Sequence, residues 1–123
     1  MLYRKDGFRS MNSKLEISLL YDFYGELLQS SQQQVVELYV NDDLSLSESA
    51  ELLGISRQGV RDSLARAERK LNEYEKKLGL VRAHREQRER DGKIRGIIRN
   101  IRDNPQAADE LLTEIEELLK GDD

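Results

Sequence analysis

A chain of 123 residues with 37% hydrophobic and 36% charged side chains has room for one small core and an appendage, not for two full domains. It contains no cysteine, which excludes disulfides and thiolate chemistry, and no apolar run long enough for a bilayer span or a signal-peptide core, so membrane insertion is excluded and a cytoplasmic protein is expected. The formal net charge of −4 lowers non-specific attraction to phosphates.

That net figure conceals an uneven distribution. Between Val81 and Asp103 the bases Arg82, Arg85, Arg88, Arg90, Lys93, Arg95, Arg99 and Arg102 face only Glu86, Glu89, Asp91 and Asp103. Beyond Asn104 the chain turns acidic, with Lys120 as the single base. Strong helix formers dominate, only one proline is present, and no segment alternates apolar and polar residues over strand length. The fold class predicted is all-α: a three-to-four-helix helix-turn-helix domain with a long recognition helix and a C-terminal helical arm. The expected division is a flexible leader over 1–13, the helix-turn-helix domain over 14–80, and a basic then acidic arm over 81–123.

In chain order, "MLYRKDGFRS" has no clean periodicity, and Met11 is an alternative start. A first helix is predicted from about Lys14 to Gln29, where Ile17, Leu20, Tyr21, Tyr24, Leu27 and Leu28 fall at helical spacing and Leu19 and Phe23 widen the stripe. Gly25, between Tyr21 and Tyr24, predicts a close helix approach. A second helix is expected to open on a Ser31–Gln34 capping box and to bury Val35, Leu38 and Tyr39. "NDD" at 41–43 reads as a turn in preference to a catalytic or metal-binding carboxylate pair.

"AELLGISRQGV", residues 50–60, carries the spacing of a helix-turn-helix corner. Ser45 caps the helix Leu46–Leu53, Gly54 supplies a left-handed exit, Ile55 is expected to plug the core, and Ser56 caps the next helix. Ala50 is small where the helices cross, and Val60 anchors the second against the first. Ser49 stands where such motifs usually carry a large aliphatic residue. The second helix continues as a heptad seam of Val60, Leu64, Ala67, Leu71, Tyr74 and Leu78. Its other face carries Arg66, Arg69, Lys70, Glu73 and Lys77, read as a solvated face with an i,i+4 Glu73–Lys77 pair. Gly79 breaks or bends it. Ile94, Ile97, Ile98 and Ile101 form the stripe of a basic helix, Asn104-Pro105 stops it, and a final acidic helix over about 107–119 carries Leu111, Leu112, Ile115, Leu118 and Leu119. The two can close as a hairpin.

Catalytic machinery is absent from the pattern. His84 is the only histidine and has no partners placed by a motif, and no phosphate-cradling glycine loop or nucleophile elbow occurs. No enzyme activity, cofactor or metal site is expected. The candidate nucleic-acid-binding residues are Ser56, Arg57, Gln58 and Arg61, at the start and outer face of the second corner helix, with Arg95, Arg99 and Arg102 as a secondary basic patch. Arginine suits guanine or phosphate and glutamine suits adenine; Asp62 opposes both. Apolar surface beyond what a three-helix core covers predicts a homodimer through the heptad seam or the first helix.

The stretch "SLSESAELLGISRQGVRDSLARAERKL" resembles the promoter-reading helix-turn-helix at the C-terminal end of bacterial sigma factors. Leu19 to Leu78, with "YDFYGELL", "ELYVNDDLSLSESAELLGISRQGV" and "LNEYEKKL", resembles more closely the YlxM-like family of small bacterial helix-turn-helix proteins. This resemblance covers about half the chain and stops before Val81. It implies a tri-helical core, a cytoplasmic dimer and a regulatory part in the signal recognition particle pathway of protein targeting, through the particle's protein or its RNA. Three readings remain open: a regulator contacting DNA or RNA within that pathway, a protein-interaction scaffold whose corner only packs helices, and a DNA-binding transcriptional regulator.

Overall fold

A computed structural model of the chain describes residues 2–3, 9–10 and 12–121. The fold is all-α apart from two dipeptides, β1 (Leu2–Tyr3) and β2 (Arg9–Ser10), which pair antiparallel. Met11 and most of the expected leader lie outside the described residues. The helices are α1 (Lys14–Tyr24), α2 (Ser30–Val36), α3 (Leu46–Leu53), α4 (Arg57–Leu78), α5 (Leu80–Asp103) and α6 (Ala108–Lys120). Two compact units result, Met1–Val81 and Arg82–Asp123.

In the first unit α4 is the spine on which α1, α2 and α3 pack. Val60, Leu64, Ala67 and Leu71 are fully buried among Ile17, Leu20, Tyr24, Val35, Val36, Tyr39 and Leu46. The heptad seam is therefore consumed inside the chain and does not offer a dimer interface. Its end escapes: Tyr74 is half-buried and Leu78 is exposed, because Gly79 ends α4 in the left-handed region at φ 63°. Asn12 and Ser13 are tied to this core. Ser13 accepts from the Glu16 amide to cap α1, and the Asn12 amide donates to buried Glu68 at 2.8 Å.

Two expectations about the first helices need correction. α1 stops at Tyr24 and not at Gln29, because the chain tightens into a 3-10 turn over Gly25–Leu27 and then extends at Leu28, which drives the Leu28 side chain into the core. Gln29 becomes the cap of α2, without a side-chain bond, so the Ser31–Gln34 capping box does not form. Gln33 turns back instead, its Nε2 donating to the Gly25 carbonyl at 2.7 Å. Gly25 is close-packed, but against a ring of its own helix: a Cβ there would stand 2.8 Å from Tyr21 Cε1. α2 runs on into a π-helical turn over Glu37–Asn41, and "NDD" closes it with Asp43 at φ 57° and paired to Lys14.

α5 begins on a polar clasp. The Tyr24 hydroxyl donates to Glu75 Oε1 at 2.5 Å and accepts from the Leu80 amide at 3.0 Å, while the Val81 amide donates to the same Glu75 oxygen at 2.9 Å. Two amides left over at the start of a helix are thereby satisfied by side chains of the core. In the second unit α5 and α6, joined through a 3-10 turn at Pro105–Ala107, line the two sides of one open cleft. None of the described residues from Arg82 onward is buried.

Candidate nucleic-acid interface

The corner is built from two caps and one glycine. The Ser45 hydroxyl accepts from the Glu48 amide at 3.0 Å and the Glu48 carboxylate accepts from the Ser45 amide at 3.1 Å, a complete capping box at the start of α3. Those bonds hold the Glu48 carboxyl below its ordinary pKa, the Ser45 backbone bond most of all. Gly54 ends α3 at φ 67°, a conformation in which a Cβ is strained against the following carbonyl. The Ile55 amide donates to the Ala50 carbonyl at 3.1 Å, and the Ser56 hydroxyl accepts from the Gly59 amide at 2.9 Å to start α4. Ala50 and Val60 are buried as their spacing requires.

Ile55 does not plug the core. It is 45% exposed, and Leu52 on α3 is 67% exposed, so two aliphatic side chains stand at the surface of the corner. The chain direction imposed by left-handed Gly54 aims Ile55 along the first turn of α4, where it lies 3.6 Å from the position a Cβ on Gly59 would take. The same Cβ would stand 3.2 Å from the Ser56 hydroxyl. Gly59, which attracts no notice in the sequence, keeps the cap of α4 tight. The spacing Ser56-x-x-Gly59 is the signal that would have found it.

The four candidate residues fall on the first turns of α4. Arg57 is exposed and forms no hydrogen bond or ion pair among the described residues. Gln58 is exposed but engaged: its Nε2 donates to Asp62 Oδ1 at 2.9 Å and its Oε1 accepts from Arg61 Nη1 at 3.5 Å. Arg61 is half-buried. Ser56 is exposed, with its oxygen committed to the cap. The arrangement offers one uncommitted cation, a second held by a glutamine, and a carboxylate beside them.

Arg95, Arg99 and Arg102 are exposed on α5 and belong to the second unit. Among the described residues none of them forms an ion pair, and no ion pair joins α5 to α6; within α6, Lys120 pairs with Glu117 at 3.6 Å. The acidic helix therefore leaves these arginines unneutralised. The expected Glu73–Lys77 pair on α4 is likewise not formed among the described residues. His84 is half-buried on α5. No described helix is long and apolar enough to cross a membrane.

Comparison with known proteins reaches further along the chain than the resemblance read from its sequence. The family model for UPF0122, the helix-turn-helix proteins described as YlxM / p13 like, matches residues 11–118, so the arm beyond Val81 belongs to the resemblance as well. A UPF0122 protein of Thermoanaerobacter sp. (strain X514) is 47% identical over 106 residues, 86% of this chain and 90% of its own length. One from Caldanaerobacter subterraneus subsp. tengcongensis is 51% identical over 84 residues, 68% of this chain and 72% of its own. One from Desulforamulus reducens is 54% identical over 66 residues, 54% and 56% of the two chains. With its corner, its long α4 and its arm all inside that match, the chain belongs to the UPF0122 family of YlxM / p13 like helix-turn-helix proteins.

Proposed function

We propose that this chain is a non-enzymatic regulatory protein of the signal recognition particle pathway, working as a homodimer and contacting nucleic acid through the first turns of α4. The observation that carries the reading is the exposed start of a 22-residue helix, set by the Gly54 exit and the Ser56 cap, with Arg57 uncommitted and Arg61 one turn beyond it. A helix entering a groove contacts base edges and phosphates with its amino-terminal residues, and its free amides favour an anion there. The link to protein targeting rests on the family resemblance. Gln58 must exchange Asp62 for an adenine edge before it can select a sequence, which makes positioning by Arg57 and Arg61 the stronger contribution.

A second reading is a protein-interaction scaffold whose corner only packs helices. It draws on Leu52 and Ile55 exposed at the corner and on the Asp62 carboxylate among the basic residues. The discriminating experiment measures binding of the parent and of Arg57→Ala/Arg61→Ala to genomic DNA fragments and to signal recognition particle RNA. A loss of affinity supports the corner as the contact. Undiminished binding that disappears in an Arg95→Ala/Arg99→Ala/Arg102→Ala chain transfers the contact to the arm. Binding to the particle's protein without any nucleic-acid affinity establishes the scaffold. Binding to genomic DNA alone establishes a transcriptional regulator.

A further inference from the structure

The arm is an amphipathic pair of helices that does not bury its own apolar stripes. No residue of α6 is buried, and Ile98, Leu112 and Leu119 are 40%, 48% and 54% exposed. Ile97 on α5 and Leu118 on α6 look into an open cleft of about 960 Å³, rimmed by Lys93 and Arg99 on one side and Glu114 and Glu117 on the other. Helices of this composition derive their stability from burying the apolar face, so the hairpin is incomplete by itself. Its charges are incomplete too, since no α5–α6 ion pair forms among the described residues.

We infer that a second copy of this chain covers the cleft, α5 and α6 of one arm packing on α6 and α5 of the other as a four-helix interface. This names the surface of the homodimer and rests on that part of the proposed function. Charge complementarity selects the occupant. In a two-fold arrangement each surface must complement itself, and a basic α5 beside an acidic α6 does so twice. A nucleic acid would meet the arginines but also Glu114 and Glu117, and would leave the leucines of α6 in water. The heptad seam is unavailable, with Val60, Ala67 and Leu71 already at 0% exposure inside the first unit. Antiparallel pairs of short amphipathic helices commonly complete a core in this way.

The test is the mass of the full chain in solution by light scattering at micromolar concentration, without nucleic acid. The parent should appear at twice the 14.3 kDa chain mass. Ile97→Glu and Leu118→Glu, at the two apolar residues that line the cleft, should each shift it to one chain mass, whereas Leu15→Glu, on a residue 81% exposed on α1, should leave it a dimer. A second measurement guards against a variant arm that simply unfolds. The chain has no cysteine, so Ile97→Cys and Leu118→Cys chains can be mixed and joined by a short thiol cross-linker, and the linked pair should form. A monomeric parent overturns the inference together with the homodimer. Ile97→Glu and Leu118→Glu chains that remain dimeric, or no cross-linked pair, overturn the arm interface alone. Either result leaves nucleic-acid contact at the corner standing or falling on its own measurement.

Discussion

Ser49 is wholly buried on α3, and its hydroxyl oxygen has no hydrogen-bond partner among the described residues. A buried hydroxyl without a partner is a liability of about 1–3 kcal/mol. Ser49→Ala should therefore raise the denaturation midpoint, by an amount of order 1 kcal/mol; a lower midpoint would show that the hydroxyl is satisfied. Gly54 is the opposite case. Nothing lies within 4 Å of a Cβ built there, so Gly54→Val should cost backbone strain alone, ~1 kcal/mol or more. Equal melting temperatures for parent and variant would contradict the left-handed exit. Burial first, then the hydrogen bond to Glu37 and its charge, push the Tyr21 phenol from 10.0 up to about 12. Burial and then the bond to Glu75 raise that of Tyr24 as well. Both phenols ionise more readily in the unfolded chain, so both contributions are lost as pH rises; that of Tyr21 is complete below pH 10 and is lost from about 10 through 12. Melting temperatures across that interval should fall, and Tyr21→Phe should flatten the fall. At this scale Gly54, Ala50, Ser56 and Val60 were legible because the corner restricts each by its own steric demand. Ile55 was not, since spacing fixes where a residue sits along the chain but not the direction in which a left-handed turn aims it.

Among elements, the α3–α4 corner was readable and the α1–α2 junction was not. The corner is specified locally by Ser45, Gly54 and Ser56, whose caps close within a few residues. The junction is decided by tertiary contacts: the burial of Leu28 and the reach of Gln33 to the Gly25 carbonyl outweigh a Ser31–Gln34 box that the sequence offers equally well. The start of α5 is of the same kind. Its amides are satisfied by Tyr24 and Glu75, 56 and 6 residues away from the groups they bind. Glu75→Ala removes the acceptor for both the Tyr24 hydroxyl and the Val81 amide, and should lower stability by about 1–3 kcal/mol. Glu73→Ala, at an exposed position two residues away, should stay within about 0.5 kcal/mol of the parent in the same denaturant titration. Equal effects at the two positions would show that the clasp contributes nothing to the core.

Over the whole molecule, the shift from a basic to an acidic arm was evident in the sequence, but not whether the two halves neutralise one another. In the structure they do not, and that leaves two cationic surfaces, one at the corner and one on α5, to be told apart by experiment. The first unit ends at buried Val81, so a chain truncated after that residue should keep a single cooperative thermal transition. A broad or absent transition would mean that the arm is part of the folding unit. The central claim, that the start of α4 contacts nucleic acid, is tested most directly by the salt dependence of binding. Each phosphate contact releases counterions, so the slope of log affinity against log salt counts the contacts made. Arg57→Ala/Arg61→Ala should weaken binding and flatten that slope by about one ion per residue replaced, with Arg95→Ala/Arg99→Ala/Arg102→Ala leaving it unchanged. A slope unaltered by the first pair would contradict the account and reduce the corner to a means of packing helices.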